Sequence, residues 1–230
     1  MIGRMKLSIV IPTWNEAGNL GRTLAACPEG AEVTVVDGGS SDGTQRVAEE
    51  ARARFLVAPR GRAVQMNRGA AAAGGDVLLF LHADAVLGEG AHAAIEDVLT
   101  RPGVVGGSFR LRIESPSLLL RLAARGSNFR AGALGLPYGD QGLFVTRDAF
   151  EAVSGFPDVP FLEDVSMVRK LKKIGRLARL DVPVHTSARH WEERGVLGTA
   201  LLDWTMVALY ALGVDPRTLA LHYYKHPQPD

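Results

Sequence analysis

The stretch "DVLLFLHADA", residues 76–85, points to the fold class, because an apolar run of strand length ends abruptly in polar side chains. Residues 78–81 are all apolar, as expected of a strand that is buried on both faces of a sheet. His82 and Asp84 follow this run directly. Ligands of an open parallel sheet bind beyond the carboxyl ends of its strands, so these two residues predict a functional site at that edge.

Three further strand-like segments precede this one along the chain: "LSIVI" at 7–11, "EVTVV" at 32–36 and "RFLV" at 54–57. Candidate helices at 16–26, 43–53 and 61–74 separate the four segments. Apolar strands that alternate with helices are typical of a parallel sheet covered on both faces. The first hundred residues therefore predict a doubly wound α/β arrangement.

The second half of the chain has a less regular pattern. "GSFRLRIE", 107–114, alternates apolar and charged residues, which predicts a half-exposed strand that is antiparallel or lies at a sheet edge. We expect helices near 116–131, 147–153 and 163–174, a glycine-rich loop at 132–142, a strand at 142–146 and a helical tail at 196–224 broken at 213–216. No repeat or linker is visible, which favours a single domain.

Composition and charge exclude several classes of protein. The chain has 26 basic and 25 acidic residues, so no overall field favours nucleic acid, and its 47% hydrophobic residues suffice for a packed core. The single cysteine, Cys27, suits a reducing compartment. The apolar run at 7–11 is too short for a signal peptide, so we expect a cytoplasmic protein.

One apolar segment keeps a membrane contact open. "VLGTALLDWTMVALYALGV", 196–214, is long enough to span a bilayer, but Asp203 would cost about 2.5–3.5 kcal/mol at a helix centre. We therefore expect no transmembrane span but a buried or interfacial helix. Peripheral membrane contact and a homo-oligomer both stay open.

Two segments that follow predicted strands suit an anionic or nucleotide ligand. In "VVDGGSSDGT", 35–44, Asp42 is expected to cap a helix, whereas Asp37 lies too early for that role and suits a hydrogen bond to a base N–H or a hydroxyl. "RGRAVQMN", 60–67, places Arg62 at a helix start, where amides and the dipole favour a phosphate. Solvated arginines are the alternative interpretation.

Carboxylates at two places suit a metal ion and a general base. Asp84 could hold a divalent cation, and His82 could bind a ribose hydroxyl, ligate the metal or cap its strand; on an extended chain the two would share one face. Glu163 and Asp164 begin a predicted helix, which the helix dipole alone would favour. They also offer one carboxylate for a general base and one for a supporting hydrogen bond.

The sequence resembles family 2 glycosyltransferases of the GT-A fold in the order and approximate spacing of four motifs. These are "SIVIPTWNE", "VVDGGSSDGT", a strand that ends in an x-Asp motif and a late "ED" at a helix start. The resemblance covers residues 6 to about 195. "HADA", "YGDQG", "LEDV" and "TSARHWE" are further similar to a small bacterial subgroup associated with radical-SAM proteins and arsenosugar pathways.

The resemblance implies an α/β, GT-A-like single domain over residues 1–230. A nucleotide-sugar-binding half would occupy about 6–100, an acceptor and catalytic half about 101–195, and a helical C-terminal extension about 196–230. The implied partners are a nucleoside-diphosphate sugar and an acceptor with a free hydroxyl, and the implied cofactor is Mg²⁺ or Mn²⁺.

The resemblance also implies roles for individual residues. Asp37 would contact the nucleotide base with Thr13 and Glu16 nearby, and Arg62 and Asn67 would lie against the nucleotide. Asp84 would hold the metal on the diphosphate, while His82 stands where the family usually has an acid, which leaves ribose recognition open. Asp164 would deprotonate the acceptor with Glu163 in support, and His185 or His190 would complete the metal site.

These roles imply a single displacement that inverts the anomeric centre, although a retaining route stays open. Three alternatives remain: a nucleotidyltransferase on a similar sheet, a dinucleotide-binding oxidoreductase and a catalytically silent nucleotide-sugar-binding module. The segment after the first strand, "PTWNEAGN", lacks the Lys/Arg-bearing glycine loop of a nucleotidyltransferase. It also lacks the G-x-G-x-x-G turn of a dinucleotide-binding oxidoreductase. The presence of Asp37, Asp84 and Asp164 together argues against a catalytically silent binding module.

Overall fold

A computed structural model describes residues 5–188 and 195–223. In chain order, the elements of the first half are β1 (Leu7–Thr13), α1 (Ala17–Ala25), β2 (Glu32–Asp37), α2 (Thr44–Glu50), β3 (Arg54–Val57), α3 (Arg62–Ala72), β4 (Val77–Phe80), β5 (Ala85–Leu87) and α4 (Ala91–Leu99). The second half contains β6 (Val104–Glu114), α5 (Leu118–Leu134), a 3₁₀ turn (Gly139–Gln141), β7 (Leu143–Thr146), α6 (Arg147–Ala152), α7 (Glu163–Leu171), β8 (Arg176–Ser187), α8 (Val196–Ala211) and α9 (Pro216–Tyr223).

The strands form one sheet with the order β3-β2-β1-β4-β7-β6-β8-β5. The four strands predicted from the first half pair in parallel, which confirms the α/β arrangement. β7 runs antiparallel to both β4 and β6, and β6 pairs in parallel with β8. The predicted strand at 107–114 is therefore antiparallel to one neighbour, as expected, but it lies inside the sheet and not at its edge.

Each face of the sheet is covered by its own hydrophobic cluster. Ile9, Ile11 and Leu79 point into one cluster, and Val10, Leu78 and Phe80 point into the other. The alternation within β1 and β4 explains why neither strand has an exposed position. Gly69 lets α3 approach the sheet, since a Cβ there would collide with Val10.

Three elements were not predicted from the sequence: β5, α4 and β8. β8 is twelve residues long, but it contains charged residues and Pro183, which argue against an interior strand. Its burial is correspondingly mixed, and Pro183 pairs with Arg110 at an irregular stretch of the ladder. β5 has only three residues, too few for a recognisable alternation.

The C-terminal helices α8 and α9 confirm the predicted helical tail and its break. Their buried face forms a third cluster in which Met206 and Leu219 pack against Phe161, Leu162 and Val165, at and just before the start of α7. Among the described residues, no helix is both long and apolar enough to cross a membrane. We refer to α8 and α9 together as the C-terminal pair.

Candidate active site

The carboxyl ends of the parallel strands converge as predicted. Thr13 at the end of β1 lies opposite Asp37 at the end of β2, and Thr13 Oγ1 donates to Asp37 Oδ1 at 3.2 Å. The buried side chain of Gln65 in α3 joins the two ends, because Nε2 donates to the carbonyl oxygens of Thr13 and Val36, both at 2.8 Å. Three elements are thus fastened together at one edge of the sheet.

The Asp37 carboxylate shapes the turn that follows β2. Oδ2 accepts the backbone N–H groups of Gly39 at 2.8 Å and Ser40 at 2.7 Å. Oδ1 accepts the hydroxyls of Thr13 and Ser40. A carboxylate has about four acceptor positions, so a nucleotide base could bond to Asp37 only if one of these hydroxyls turned away.

Asn15 links the loop after β1 to the loop after β2. Its backbone N–H donates to Ser40 Oγ at 2.8 Å, and its side-chain Oδ1 accepts the Ser41 N–H at 2.9 Å. Asn15 adopts a φ of +52°, a region that asparagine enters more readily than most residues. The two loops therefore act as one wall of the site.

Glu16 and Asp42 stabilise the helix starts in this wall. Glu16 accepts the side-chain amide of Asn19 at 2.8 Å and donates its backbone N–H to Thr44 Oγ1 at 3.0 Å. Asp42 accepts the N–H of Thr44 at 3.1 Å and that of Ala17 at 3.0 Å. The expected N-cap role of Asp42 is wrong, because α2 begins at Thr44 with Gly43 as its N-cap, and Asp42 bonds the N–H of the first helical residue from one position earlier.

Arg60 and Trp14 form a stacked pair that was not predicted from the sequence. The pair lies beside the carboxyl ends of the parallel strands. The guanidinium of Arg60, after β3, lies 3.4 Å from the ring centroid of Trp14, after β1. Arg60 is exposed and Trp14 is partly buried. Stacking an arginine on tryptophan orders both side chains and places a cation beside the strand ends.

Arg62 connects the start of α3 to the start of α7. Its Nε lies 2.8 Å from Oε1 of Glu163, whose side chain is only 4% exposed, compared with 45% for Arg62. Burial raises the pKa of Glu163, as does the neighbouring Asp164 carboxylate, whereas Arg62 lowers it. The half-exposed guanidinium therefore joins the start of α3 to a buried carboxylate at the start of α7.

Asp164 is held at the start of α7 by backbone groups. Oδ2 accepts the N–H of Gly139 at 2.7 Å, and Oδ1 accepts the N–H of Val165 at 2.7 Å. Leu162, two residues earlier, has a φ of +57°, which is rare for leucine and stores backbone strain. The strained turn aims Asp164 at the loop that precedes β7.

His82 and Asp84 lie in a turn, and not on the extended chain assumed from their spacing. The N–H of Ala85 donates to the carbonyl of His82 at 3.1 Å, which bends the chain immediately after β4. A Cβ built on Gly139 would lie 3.0 Å from His82 Nε2 and 3.3 Å from Asp164 Oδ2. The histidine and the aspartate therefore flank the same glycine.

The charges around His82 define the centre of the site. Burial and the Arg62 guanidinium lower the pKa of His82, and the carboxylates of Asp84 and Asp164 oppose this shift. The net lowering favours a neutral imidazole at pH 7. The structure thus brings Arg62, His82, Asp84 and the Glu163–Asp164 pair to one place, although they are far apart along the chain.

The remaining predicted residues lie elsewhere or serve another contact. Both ends of the Asn67 amide bond to the backbone of Phe156, at 2.9 and 3.0 Å, so Asn67 positions the loop before α7. His185, in β8, has its Nδ1 4.0 Å from Glu114 Oε1. His190 lies outside the described residues.

The residues around Asp84 fit a metal ion whose coordination is completed by oxygens of the bound substrate and of water. Within residues 5–188 and 195–223 no group of three or more His, Cys, Asp or Glu side chains could hold a metal ion. Mg²⁺ and Mn²⁺ sites on phosphates commonly use only one or two carboxylates and take further oxygens from substrate and water. Asp84 is partly buried and accepts no hydrogen bond from a described residue, so its oxygens are open to a cation.

A family model supplies the decisive comparison. The glycosyl transferase family 2 model matches residues 8–132, more than half of the chain, from β1 into α5. The chain belongs to glycosyl transferase family 2. The matched range includes Thr13, Asp37, Arg62 and Asp84 and ends before Asp164.

One curated relative and several solved structures are similar to this chain. The succinoglycan biosynthesis protein ExoA of Rhizobium meliloti is 29% identical over 192 residues, which cover 73% of this chain and 58% of that protein. The mannosyltransferase PcManGT of Pyrobaculum calidifontis, solved with GDP-Man and Mn²⁺, superposes with a TM-score of 0.64 at 22% identity over 80% of this chain and 57% of its own. Glucosyl-3-phosphoglycerate synthase of Mycobacterium tuberculosis, solved with Mn²⁺, UDP and glucosyl-3-phosphoglycerate, gives 0.56 at 19% identity over 78% of this chain and 70% of its own.

These comparisons show the GT-A-like fold, in agreement with the mixed sheet and its flanking helices. The family 2 chain spans just over half the length of ExoA and of PcManGT.

Gln65 and Gly139 were not predicted as residues of this candidate site, and only for Gln65 did the sequence carry a signal. Gln65 lies on the apolar face of α3 with Met66 and Ala70, and a buried amide must find hydrogen-bond partners. Gly139 contributes only its backbone N–H, so no side-chain pattern could identify it.

Proposed function

We propose that this family 2 chain transfers a sugar from a nucleoside-diphosphate sugar to an acceptor hydroxyl. One observation carries the proposal: Asp84, His82 and Asp164 meet beside Arg62 at the carboxyl edge of the parallel strands. This edge is where open α/β sheets bind nucleotides. The complexes of PcManGT with GDP-Man and of the Mycobacterium tuberculosis synthase with UDP support the choice of donor.

The wall formed by the loops after β1 and β2 is the proposed base site. Thr13, Glu16 and Asp37 lie there, with Trp14 and Arg60 beside them. Arg62, at the first position of α3 and with a half-exposed side chain, would face the diphosphate. Asn67 acts by holding the Phe156 backbone, and a neutral His82 would donate or accept a single hydrogen bond with the ribose.

Asp84 is the proposed protein ligand of Mg²⁺ or Mn²⁺. When bound, such an ion neutralises charge that develops on the leaving diphosphate. His190 remains a predicted further ligand, whereas His185 has Glu114 as its neighbour. The solved complexes that contain Mn²⁺ or Mg²⁺ support a divalent cation.

Asp164 is the proposed general base. Its Oδ2 is held by Gly139 N–H, and the same oxygen would take the proton of an acceptor hydroxyl that attacks the anomeric carbon. As the O–C bond forms, the bond from that carbon to the diphosphate breaks, which inverts the centre. Glu163 positions Arg62 and the helix start.

Membership of family 2 does not favour the nucleotidyltransferase or the oxidoreductase. Residues 1–230 are proposed to act as one domain, since α8 and α9 pack on the segment that carries Asp164. The narrower radical-SAM-associated subgroup stays a prediction that rests on "HADA", "YGDQG", "LEDV" and "TSARHWE". A cytoplasmic location and self-association stay predictions.

Donor hydrolysis tests this function without a known acceptor. We expect the protein to release nucleoside diphosphate slowly from one of UDP-, GDP- or dTDP-sugars with Mn²⁺ present, and to stop when EDTA removes the ion. Thermal stabilisation by the same nucleotide should follow the same metal dependence. Silence with all donors, together with thermal stabilisation by a nucleotide, would instead support the binding-module alternative, whereas metal-independent hydrolysis would contradict the proposed role of the cation.

Contact with a membrane surface is proposed for one face of the molecule. Large exposed apolar side chains on α5 are Leu118, Leu122 and Phe129, and those on α8 are Leu201 and Trp204. The exposed cations Arg121 and Arg125 lie on the same helix as the first three, and α5 contains no acid. Apolar side chains mixed with arginine suit a helix lying in an anionic interface.

Vesicle binding tests this contact. Trp204→Ser with Leu201→Ser should lower the affinity for phosphatidylglycerol vesicles, measured by cosedimentation, by about 100-fold or more, since each side chain contributes about 1.5–3 kcal/mol when buried. Val57→Ser is the matched control, because Val57 is 66% exposed but lies in β3. If alkaline carbonate failed to release the bound protein, the proposed surface contact would be wrong.

A further inference from the structure

A second cleft lies on the other side of α7 from Asp164. Its volume is about 750 Å³, and its wall includes Arg169 and Lys170 of α7, Lys172 and Lys173 just beyond it, and Tyr210 of α8. Ser166 and Arg169 follow Asp164 by two and five positions, which places them on the opposite side of a helix with 3.6 residues per turn. The cleft is therefore separate from the proposed donor site.

Two of the cations in this cleft are held by neighbouring groups. The guanidinium of Arg169 lies 4.4 Å from the centroid of the Tyr210 ring. Tyr210 is fixed in turn, since its hydroxyl lies 2.7 Å from the hydroxyl of Ser166, which donates to the Leu162 carbonyl at 2.8 Å. Arg169 is thus oriented by an aromatic ring and not by a carboxylate.

Lys170 is anchored in a similar way by backbone groups. Its Nζ donates to the carbonyl of Val153 at 3.0 Å and to that of Gly155 at 3.4 Å. An ammonium has three donors, so one remains for a ligand. The helix dipole favours cations in the last turn of α7, but it does not require a cleft around them.

Among the described residues that line the cleft, no acid balances Arg169 and Lys170. None of its lining residues is acidic, and in the described part of the chain Arg169, Lys170 and Lys173 form no ion pair. The Arg169 guanidinium also makes no hydrogen bond to a described residue, which leaves its five N–H donors open. Leu136, Pro157 and Val159 form an apolar part of the wall.

We propose that this cleft binds a small molecule that carries a phosphate group. The oriented guanidinium and the third ammonium donor suit a phosphate, because charge-assisted hydrogen bonds to such groups are the strong ones. The apolar wall would contact the organic part of the ligand. The volume is within the range of about 300–1,000 Å³ for small-molecule sites. The proposal goes beyond sugar transfer and does not depend on it.

Calorimetry with inorganic phosphate and with glucose 1-phosphate, in EDTA, tests the site without the donor-site metal. We expect saturable binding that Arg169→Gln weakens about 10-fold or more, as for loss of a charge-assisted hydrogen bond. Lys173→Gln, at an exposed position, should weaken it as well and serves if Arg169→Gln does not fold. Asp84→Asn and the distant Arg101→Gln should bind like the wild type.

A second arm distinguishes the source of the phosphate. Monomeric dihexanoyl phosphatidic acid, below its micelle concentration, presents a lipid headgroup without a bilayer. Tighter binding of this lipid than of glucose 1-phosphate, with the same loss in Arg169→Gln, supports a lipid source, and the reverse order supports a free metabolite. Absence of binding in both arms would overturn the proposal. So would a loss of affinity in Asp84→Asn or Arg101→Gln without a loss in Arg169→Gln.

Discussion

Replacing Asp164 with asparagine is expected to lower turnover by about 10²–10⁴-fold, the usual contribution of general-base catalysis, while donor affinity changes little. In the wild type, Asp164 Oδ2 accepts the Gly139 N–H at 2.7 Å. The asparagine amide keeps an oxygen that can accept this N–H, so the loop before β7 should stay in place. It cannot take a proton from the acceptor. Steady-state kinetics with an acceptor found by screening hydroxyl compounds, combined with nucleotide titration, separate the two effects.

Two control variants sharpen this test. Asp158→Asn changes an exposed aspartate of the loop before α7 and should leave turnover intact. Glu163→Gln removes the buried partner of Arg62, so it should weaken donor binding more than it slows chemistry. Near-normal turnover in Asp164→Asn together with collapse in Glu163→Gln would exchange the roles of the two acids.

Replacing Asp84 with asparagine should reduce metal-dependent binding of the nucleoside diphosphate severely. Loss of a residue that merely supports a metal ligand typically costs about 10–100-fold in metal affinity, and we expect at least this effect from a direct ligand. Asp84 accepts no hydrogen bond from the described residues, so its loss should not disturb the fold. Calorimetric titration of UDP or GDP, with and without Mn²⁺, measures the change.

The control for Asp84 is Asp148→Asn, an exposed aspartate in α6. It should bind nucleotide and Mn²⁺ like the wild type. Equal affinity for UDP or GDP in the wild type with and without Mn²⁺ would contradict the metal role of Asp84. An intact metal effect in Asp84→Asn would contradict it as well, and would direct attention to His190.

The parallel half of the sheet could be predicted because its four strands are short apolar runs that three helical segments separate. β8 could not, since its charged residues and Pro183 resemble a loop. Its residues are tolerated there because several of its positions are only partly buried or exposed. Periodicity reports burial, so a strand without a consistently buried face leaves little signal.

Which of the candidate residues lie close together could be predicted better than the contacts that each of them makes. The spacing of His82 and Asp84 suggested one extended face, whereas a turn brings them together with Arg62 and Asp164. Asp37 was expected to be open to a ligand, but a carboxylate beside glycine and serine bonds readily to the following backbone. Contacts between distant segments, such as Arg62 with Glu163, depend on topology and carry no local signature.

The third hydrophobic cluster has a consequence for how the molecule becomes active as it is made. Leu162 and Val165, which flank the proposed base, pack against Met206 and Leu219 of the C-terminal pair. Domains fold largely as units while the ribosome delivers the chain from its N-terminus. Since residues 1–230 are proposed to form one domain, we expect Asp164 to be held in its final position only once α8 and α9 have left the ribosome and packed on the start of α7.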